Sequence, residues 1–244
     1  MSENGSLTVA TSNNVSTICF FHEKANCFPL SLLQELSSAI RKCSNDTSSR
    51  VIFIKSDGAG AFSAGASFEE FKRIKTPQEA EEFFWGFANV MLAMRDSPKP
   101  IVLRVHGKVV GGGLGIVSCA DYVIAHSSAA IRLSEIGLGI GPFTIGLGVE
   151  RRIGNARFSA LVLDAQWRSA NWALESGLYS QVCESQEQLE DQLAVILVHL
   201  ASLDPETLRA NRKMLWEGTS YWDQLFKDRV ETVSKLLLRG SIGN

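Results

Sequence analysis

The sequence predicts an α/β fold that ends in helices alone. Three observations carry this. Short apolar, β-branched runs alternate with segments of helical period over the first two thirds of the chain, and from about residue 155 onward the pattern is helical. In addition, two stretches of alanine and glycine each follow a predicted strand and precede a predicted helix.

The elements follow in order. Leu7–Thr11 and Ser16–Phe21 flank Asn13-Asn14 and read as a hairpin. Ser31-Leu-Leu-Gln34 has the form of a capping box, followed by Leu32, Leu33, Leu36, Ala39 and Ile40 on one helical face. Val51–Ile54 is a continuous apolar run, as expected of a strand covered on both sides. The loop from Ser56 to Gly65 is too small-residue-rich for regular structure. Thr76-Pro77-Gln-Glu79 opens a helix with an N-cap threonine, a proline in the first turn and a reciprocal glutamate. That helix runs to about Asp96, ahead of Pro98 and Pro100. Ile101–Val105 is a strand, Gly107–Gly113 a glycine-rich turn into the apolar segment Leu114–Ala120, and Tyr122–Ala125 a further strand. Helices are predicted over Asn155–Leu163, Ala170–Glu175, Gln186–Ala201, Pro205–Trp216 and Tyr221–Leu238, with Asp204-Pro205 repeating the cap-then-proline start.

Composition narrows the class. The 244 residues are 45% hydrophobic and 20% charged, with a net charge of -2, an ordinary globular balance without the basic field that nucleic acid requires. Leu193–Ala201, the densest apolar stretch, is interrupted by His199 and far too short to span a bilayer. The amino terminus is polar and lacks a signal-peptide pattern. The five cysteines are scattered and never form a CxxC pair, which points to reduced thiols and a cytoplasmic location. His22, His106, His126 and His199 have no metal-ligand spacing, so no metal is expected.

Two segments carry the chemistry: Ala61-Phe-Ser-Ala-Gly-Ala66-Ser-Phe and Val105-His-Gly-Lys-Val-Val-Gly-Gly-Gly113-Leu-Gly-Ile. Backbone N–H groups at a helix start lack intrahelical acceptors, and small residues let a ligand approach them. Two such donors meeting at one point would stabilise an oxyanion. Alone, Gly111-Gly-Gly113 reads first as a tight turn or close helix packing, and neither GxGxxG nor GxxxxGK[ST] spacing is present.

Together these pieces resemble the enoyl-CoA hydratase/isomerase (crotonase) family. Ala61-Phe-Ser-Ala-Gly-Ala66 is similar to its AF-x-AGAD motif, and Lys99-Pro through Gly113 to KP-x-x-AA-x-NG-x-x-x-GGG. Ser118-Cys-Ala-Asp121-Tyr-Val-Ile-Ala125 is similar to its C-D-x-x-x-A stretch, and Glu135-Ile-Gly-Leu-Gly-Ile-Gly-Pro142 to its P-E-x-x-x-G-x-x-P loop. The resemblance implies a crotonase-like spiral of stacked β-sheets and helices. Residues 1–201 would form the core with the acyl-CoA site, and 202–244 a C-terminal helical trimerisation region of a homotrimer or hexamer. It implies an enzyme acting on an acyl-CoA thioester through an enolate, in fatty acid metabolism, with no cofactor beyond the coenzyme A of the substrate.

By the same resemblance, Glu135 is the acid/base and the N–H groups of Ala66 and Gly112 form the oxyanion hole. Lys24, Ala25, Ala64, Ser67, Phe68 and Gly113 are implied contacts to substrate or coenzyme A. As a bare residue Lys24 is equally a solvated lysine at a strand end. The chain departs from the hydratases at Gly115, where they carry a second glutamate, and at Phe143, where many have glycine. Ser67 replaces the usual aspartate, and Glu69 stands at a commonly cationic position. The expectation is isomerase-type or single-glutamate hydratase chemistry, with room beside Gly115. The alternative is a non-catalytic acyl-CoA-binding or assembly subunit that has lost the second glutamate.

Overall fold

Asn13 and Asn14 both adopt left-handed backbone angles, with φ of 49° and 62°, the conformation that a two-residue hairpin turn needs and asparagine tolerates. They join β1 (Ser6–Ser12) to β2 (Val15–Phe21) in antiparallel register. The computed structural model describes residues 4–241; residues 1–3 and 242–244, including the start of the polar amino terminus and the end of the 202–244 region, lie outside the described residues.

From β2 the sheet grows by parallel pairing to β3 (Val51–Ser56), β4 (Ile101–Val105), β6 (Tyr122–His126) and β8 (Gln181–Cys183). A second, two-stranded parallel sheet pairs β5 (Val109–Val110) with β7 (Ile131–Arg132). The apolar run at the start of β3 is explained by two covered faces. Ile52 and Ile54 join the main core, while Val51 and Phe53 meet Leu189 and Leu193 of α8 (Gln186–Ser202) on the other side.

On the first face, α1 (Leu30–Asn45) packs against α3 (Pro77–Asp96). The Thr76 capping box forms as predicted, with Thr76 Oγ1 accepting from Glu79 N–H and Glu79 Oε2 accepting from Thr76 N–H. The Ser31–Gln34 box does not. Helix α1 begins at Leu30, Ser31 Oγ is buried without a partner, and the Leu30 N–H donates instead to Glu70 Oε2 at 2.7 Å. A carboxylate forty residues downstream in α2 (Phe68–Arg73) thus caps the helix.

The remaining helices are α4 (Gly112–Ser118), α5 (Gly146–Ile153), α6 (Asn155–Asp164), α7 (Ala170–Glu175), α9 (Pro205–Leu215) and α10 (Trp222–Ser241). Helix α10 lies on α3, and its buried Trp222, Phe226, Val230, Val233 and Leu237 recur at helical spacing and belong to the main core. None of the described helices is long and apolar enough to cross a membrane, and all five cysteines are free thiols.

Arg212 ties α9 to this core. Its guanidinium is 3% exposed, lies 2.8 Å from Asp121 Oδ2, and donates to the carbonyls of Met94, Arg95 and Ser97 at the end of α3. Asp121 also accepts from the Ile101 N–H at 2.7 Å and from Trp216 Nε1 at 3.1 Å. Strand β4, helix α3 and helix α9 therefore meet on one ion pair. Removing one member of a buried pair strands the other charge and the carbonyls it served. Arg212→Met is expected to lower the unfolding free energy by about 3–5 kcal/mol, measured by urea titration.

Candidate active site

Because β3 and β4 are neighbouring parallel strands, their C-terminal ends open on the same edge of the sheet. The loops that follow are bonded to each other: Ser63 N–H donates to Lys108 O at 3.3 Å, and Val110 N–H to Ser63 O at 2.9 Å. Gly65, at φ +86°, comes so close to the second loop that an added β-carbon would stand 2.8 Å from Val110 O and 3.2 Å from Gly112 N. No other residue type accepts both that angle and that contact.

Two N–H groups emerge from this junction. Phe28 donates to Gly65 O at 2.7 Å and accepts from Ser67 N–H at 2.9 Å, a pattern that passes over the Ala66 N–H. Gly112 is the first residue of α4, so its N–H has no acceptor one turn earlier in the helix. Beneath it, Phe87 occupies the space that a side chain at 112 would need. This makes Gly112 obligatory, and Gly112→Pro would disturb packing as well as remove a donor. Gly113 turns away from the cavity and packs on Ser63, where a β-carbon would stand 2.8 Å from the serine Cβ.

Ala66 and Gly112 face a cavity of about 270 Å³ whose wall also includes Ala64, Phe68, Phe84, Phe87, Ile140 and Val233. Glu135, in a short 3₁₀ turn over Glu135–Leu138, is the one ionisable side chain in that lining. Its Oε1 fills the place of a Gly111 side chain, since a β-carbon there would stand 2.9 Å away. Oε2 is buried with no hydrogen-bond partner. Burial pushes the carboxyl up to about 7, opposed only in part by the N–H groups of Glu135 and Ser134. A group poised there can both take and return a proton near neutrality.

Opposite, the expected space at Gly115 is filled. A β-carbon there would stand 2.6 Å from Ile145 Cβ and Cγ2, so the room predicted for a second acid is occupied by an isoleucine. Gly115→Glu alone would drive its side chain into Ile145.

The remaining predicted contacts divide. Ala64 and Phe68 line the cavity, and Ala25 is joined to Ala64, whose N–H donates to Ala25 O at 2.9 Å. Ser67 instead caps α2, accepting from Glu70 N–H. Lys24 lies on the surface and is paired with the Glu69 carboxylate. Residue Asn26, which the sequence did not single out, is buried and stitches its own loop to the loop after β3. Its side chain accepts from His22 N–H and donates to the carbonyls of Asp57 and Ala61, each at 2.9 Å. Asn26 adopts φ 53°, which asparagine tolerates, so the residue type itself was the available signal.

The fold and this pocket define a crotonase-type enzyme. The enoyl-CoA hydratase/isomerase family profile matches residues 10–231, and the chain belongs to that family. It is 28% identical over 216 residues to a Bacillus subtilis protein named "Probable enoyl-CoA hydratase", covering 88% of this chain and 83% of the relative. It is 26% identical over 230 residues to the trans-2-decenoyl-[acyl-carrier-protein] isomerase of Streptococcus mutans, covering 92% and 87%. In three dimensions it is similar to the crystal structure of an enoyl-CoA hydratase from Bacillus halodurans, with a TM-score of 0.90, 22% identity and coverage of 97% and 96%. The chain is thus a hydratase/isomerase-type enzyme.

The raised Glu135 carboxyl has a thermodynamic signature. The folded form holds its proton up to about pH 7, whereas an unfolded glutamate loses it near 4.5. Folding stability therefore falls as pH rises between those values and changes no further above them. Glu135→Gln removes this loss, so the variant should gain on the order of 3 kcal/mol over the parent between pH 4 and pH 8. Parallel denaturation at several pH values measures the difference.

Proposed function

We propose that the protein moves a double bond within an enoyl thioester, with Glu135 as its principal acid/base. The observation that carries this reading is the lining of the cavity. One titratable group stands in a largely apolar chamber beside two outward N–H groups, and Ile145 fills the space at Gly115.

In this mechanism the thioester carbonyl oxygen accepts from the N–H groups of Ala66 and Gly112. The Glu135 carboxylate removes the α-proton of a β,γ-enoyl thioester, and the electron pair moves onto the oxygen. Each such donor contributes roughly 2.7–4 kcal/mol to holding that charge. The protonated Glu135 then returns the proton to the γ-carbon, leaving the α,β-enoyl product with atoms and charge unchanged. Coenzyme A is the carrier, its adenine end lying along Ala64–Phe68 with Lys24 released from Glu69 toward a phosphate. No cofactor takes part. Single-glutamate hydration is the second reading, favoured by Thr144. Its hydroxyl is buried in the same wall without a partner and would help hold a water.

The site works in a homotrimer or hexamer built through the region from residue 202, in the cytoplasm. Exposed Met214, Leu215 and Tyr221 supply apolar surface for that assembly. Sedimentation should give three or six chains per particle at micromolar concentration, and a stable monomer would refute the assembly.

Incubation with 3-enoyl- and 2-enoyl-CoA, followed by product analysis, tests the reaction. Isomerisation should exceed water addition, and Glu135→Gln should slow it by roughly 10²-fold or more with binding nearly intact. Full activity in that variant would place the base elsewhere.

A further inference from the structure

We propose that Phe143 sets the length of acyl chain the enzyme accepts, by walling off a second apolar chamber from the first. The proposal rests on the acyl-thioester reading of the Glu135 cavity and concerns the far end of that same substrate.

The second chamber, of about 680 Å³, lies between the 3₁₀ turn, helix α6 and helix α10, and includes Ile136, Phe158, Val162 and Leu236 in its wall. Ile140, Gly141, Pro142 and Phe143 line both chambers, so a partition one loop thick divides them. Of these four, Phe143 carries the largest side chain. Its ring lies on the Gly141 backbone, where a β-carbon would stand 2.9 Å from ring Cε2. The backbone of the partition is anchored independently of the ring. Arg229 Nη1 donates to Phe143 O at 3.3 Å, and Gly146 N–H donates to Pro142 O at 2.7 Å. Shortening the side chain therefore opens a passage while the loop keeps its course.

The occupant of the second chamber is then the distal methylene chain of a longer acyl group. Asp228, Arg229 and Thr232 stand on its α10 side, but the wall is apolar where it continues the first chamber and offers apolar surface to each added carbon. With the phenyl ring in place, chains that outgrow the first cavity must displace the ring or be refused.

The test is a series of unbranched acyl-CoA thioesters from four to sixteen carbons, comparing parent, Phe143→Ala and Phe143→Leu. Two readouts are taken: kcat/KM on the enoyl esters, and the dissociation constants of the saturated esters. Expected is a sharp fall with length in the parent. The ratio of twelve-carbon to four-carbon values should rise by about 10-fold or more in Phe143→Ala, and by less in Phe143→Leu. Phe143→Leu keeps the experiment readable if the alanine variant does not fold. A ratio unchanged by either substitution, or a parent that takes twelve carbons as well as four, overturns the proposal. Turnover of no ester, alongside a length limit in binding that the variants relieve, would refute the reaction assigned above and leave the partition supported. Absence of binding by any ester overturns both.

Discussion

The structure depends on a backbone-to-backbone approach that no side chain can enter. Gly65 meets Val110 O and Gly112 N across two loops, and Phe87 closes the space beneath Gly112. Parallel pairing of β3 and β4 makes this meeting possible, because neighbouring parallel strands deliver their following loops to the same edge. The Ser63 hydrogen bonds to Lys108 and Val110 then hold the loops in register. The Gly65 and Ser67 N–H groups on either side of Ala66 are taken by Ser63 Oγ and Phe28 O, and Ala66 and Gly112 line the cavity.

The same packing sets the electrostatics. Glu135 sits against Gly111 with one carboxylate oxygen unpartnered, in a chamber that offers it no cation. A salt bridge would hold the group ionised at low pH, whereas burial in this wall raises it to about 7. The stability given up there is small beside a core that runs continuously from β2 through α3 to α10. At the opposite extreme of design, Arg212 and Asp121 are fully engaged with each other and with the end of α3, and they do no chemistry. One buried titratable group is left with an unpartnered oxygen and the other is saturated.

At position 143 the anchoring of the backbone and the placement of the ring are independent of each other. A phenylalanine on the loop after Pro142 leaves the turn anchored by Arg229 and Gly146 while its ring takes space on the cavity side. Ile145 does the same opposite Gly115. Both side chains place hydrocarbon in the cavity wall.

Local signals in the sequence determined the hairpin at Asn13-Asn14, the helix starts at Thr76 and Asp204, the doubly covered strand at Val51 and the two glycine turns. Each rests on neighbours within four residues, and local geometry decides it. The placement of Glu135 in the cavity was legible through its loop motif, though the extent of its burial was not. Tertiary structure alone decided the rest. Glu70 displaced the Ser31 box because a carboxylate arriving from α2 was nearer to the Leu30 N–H than any local side chain. Ile145 filled the space at Gly115, Glu69 claimed Lys24, and Asn26 bound its own loop to the one after β3. Those outcomes depend on which distant groups the fold brings into contact, and no spacing along the chain encodes a distance across it.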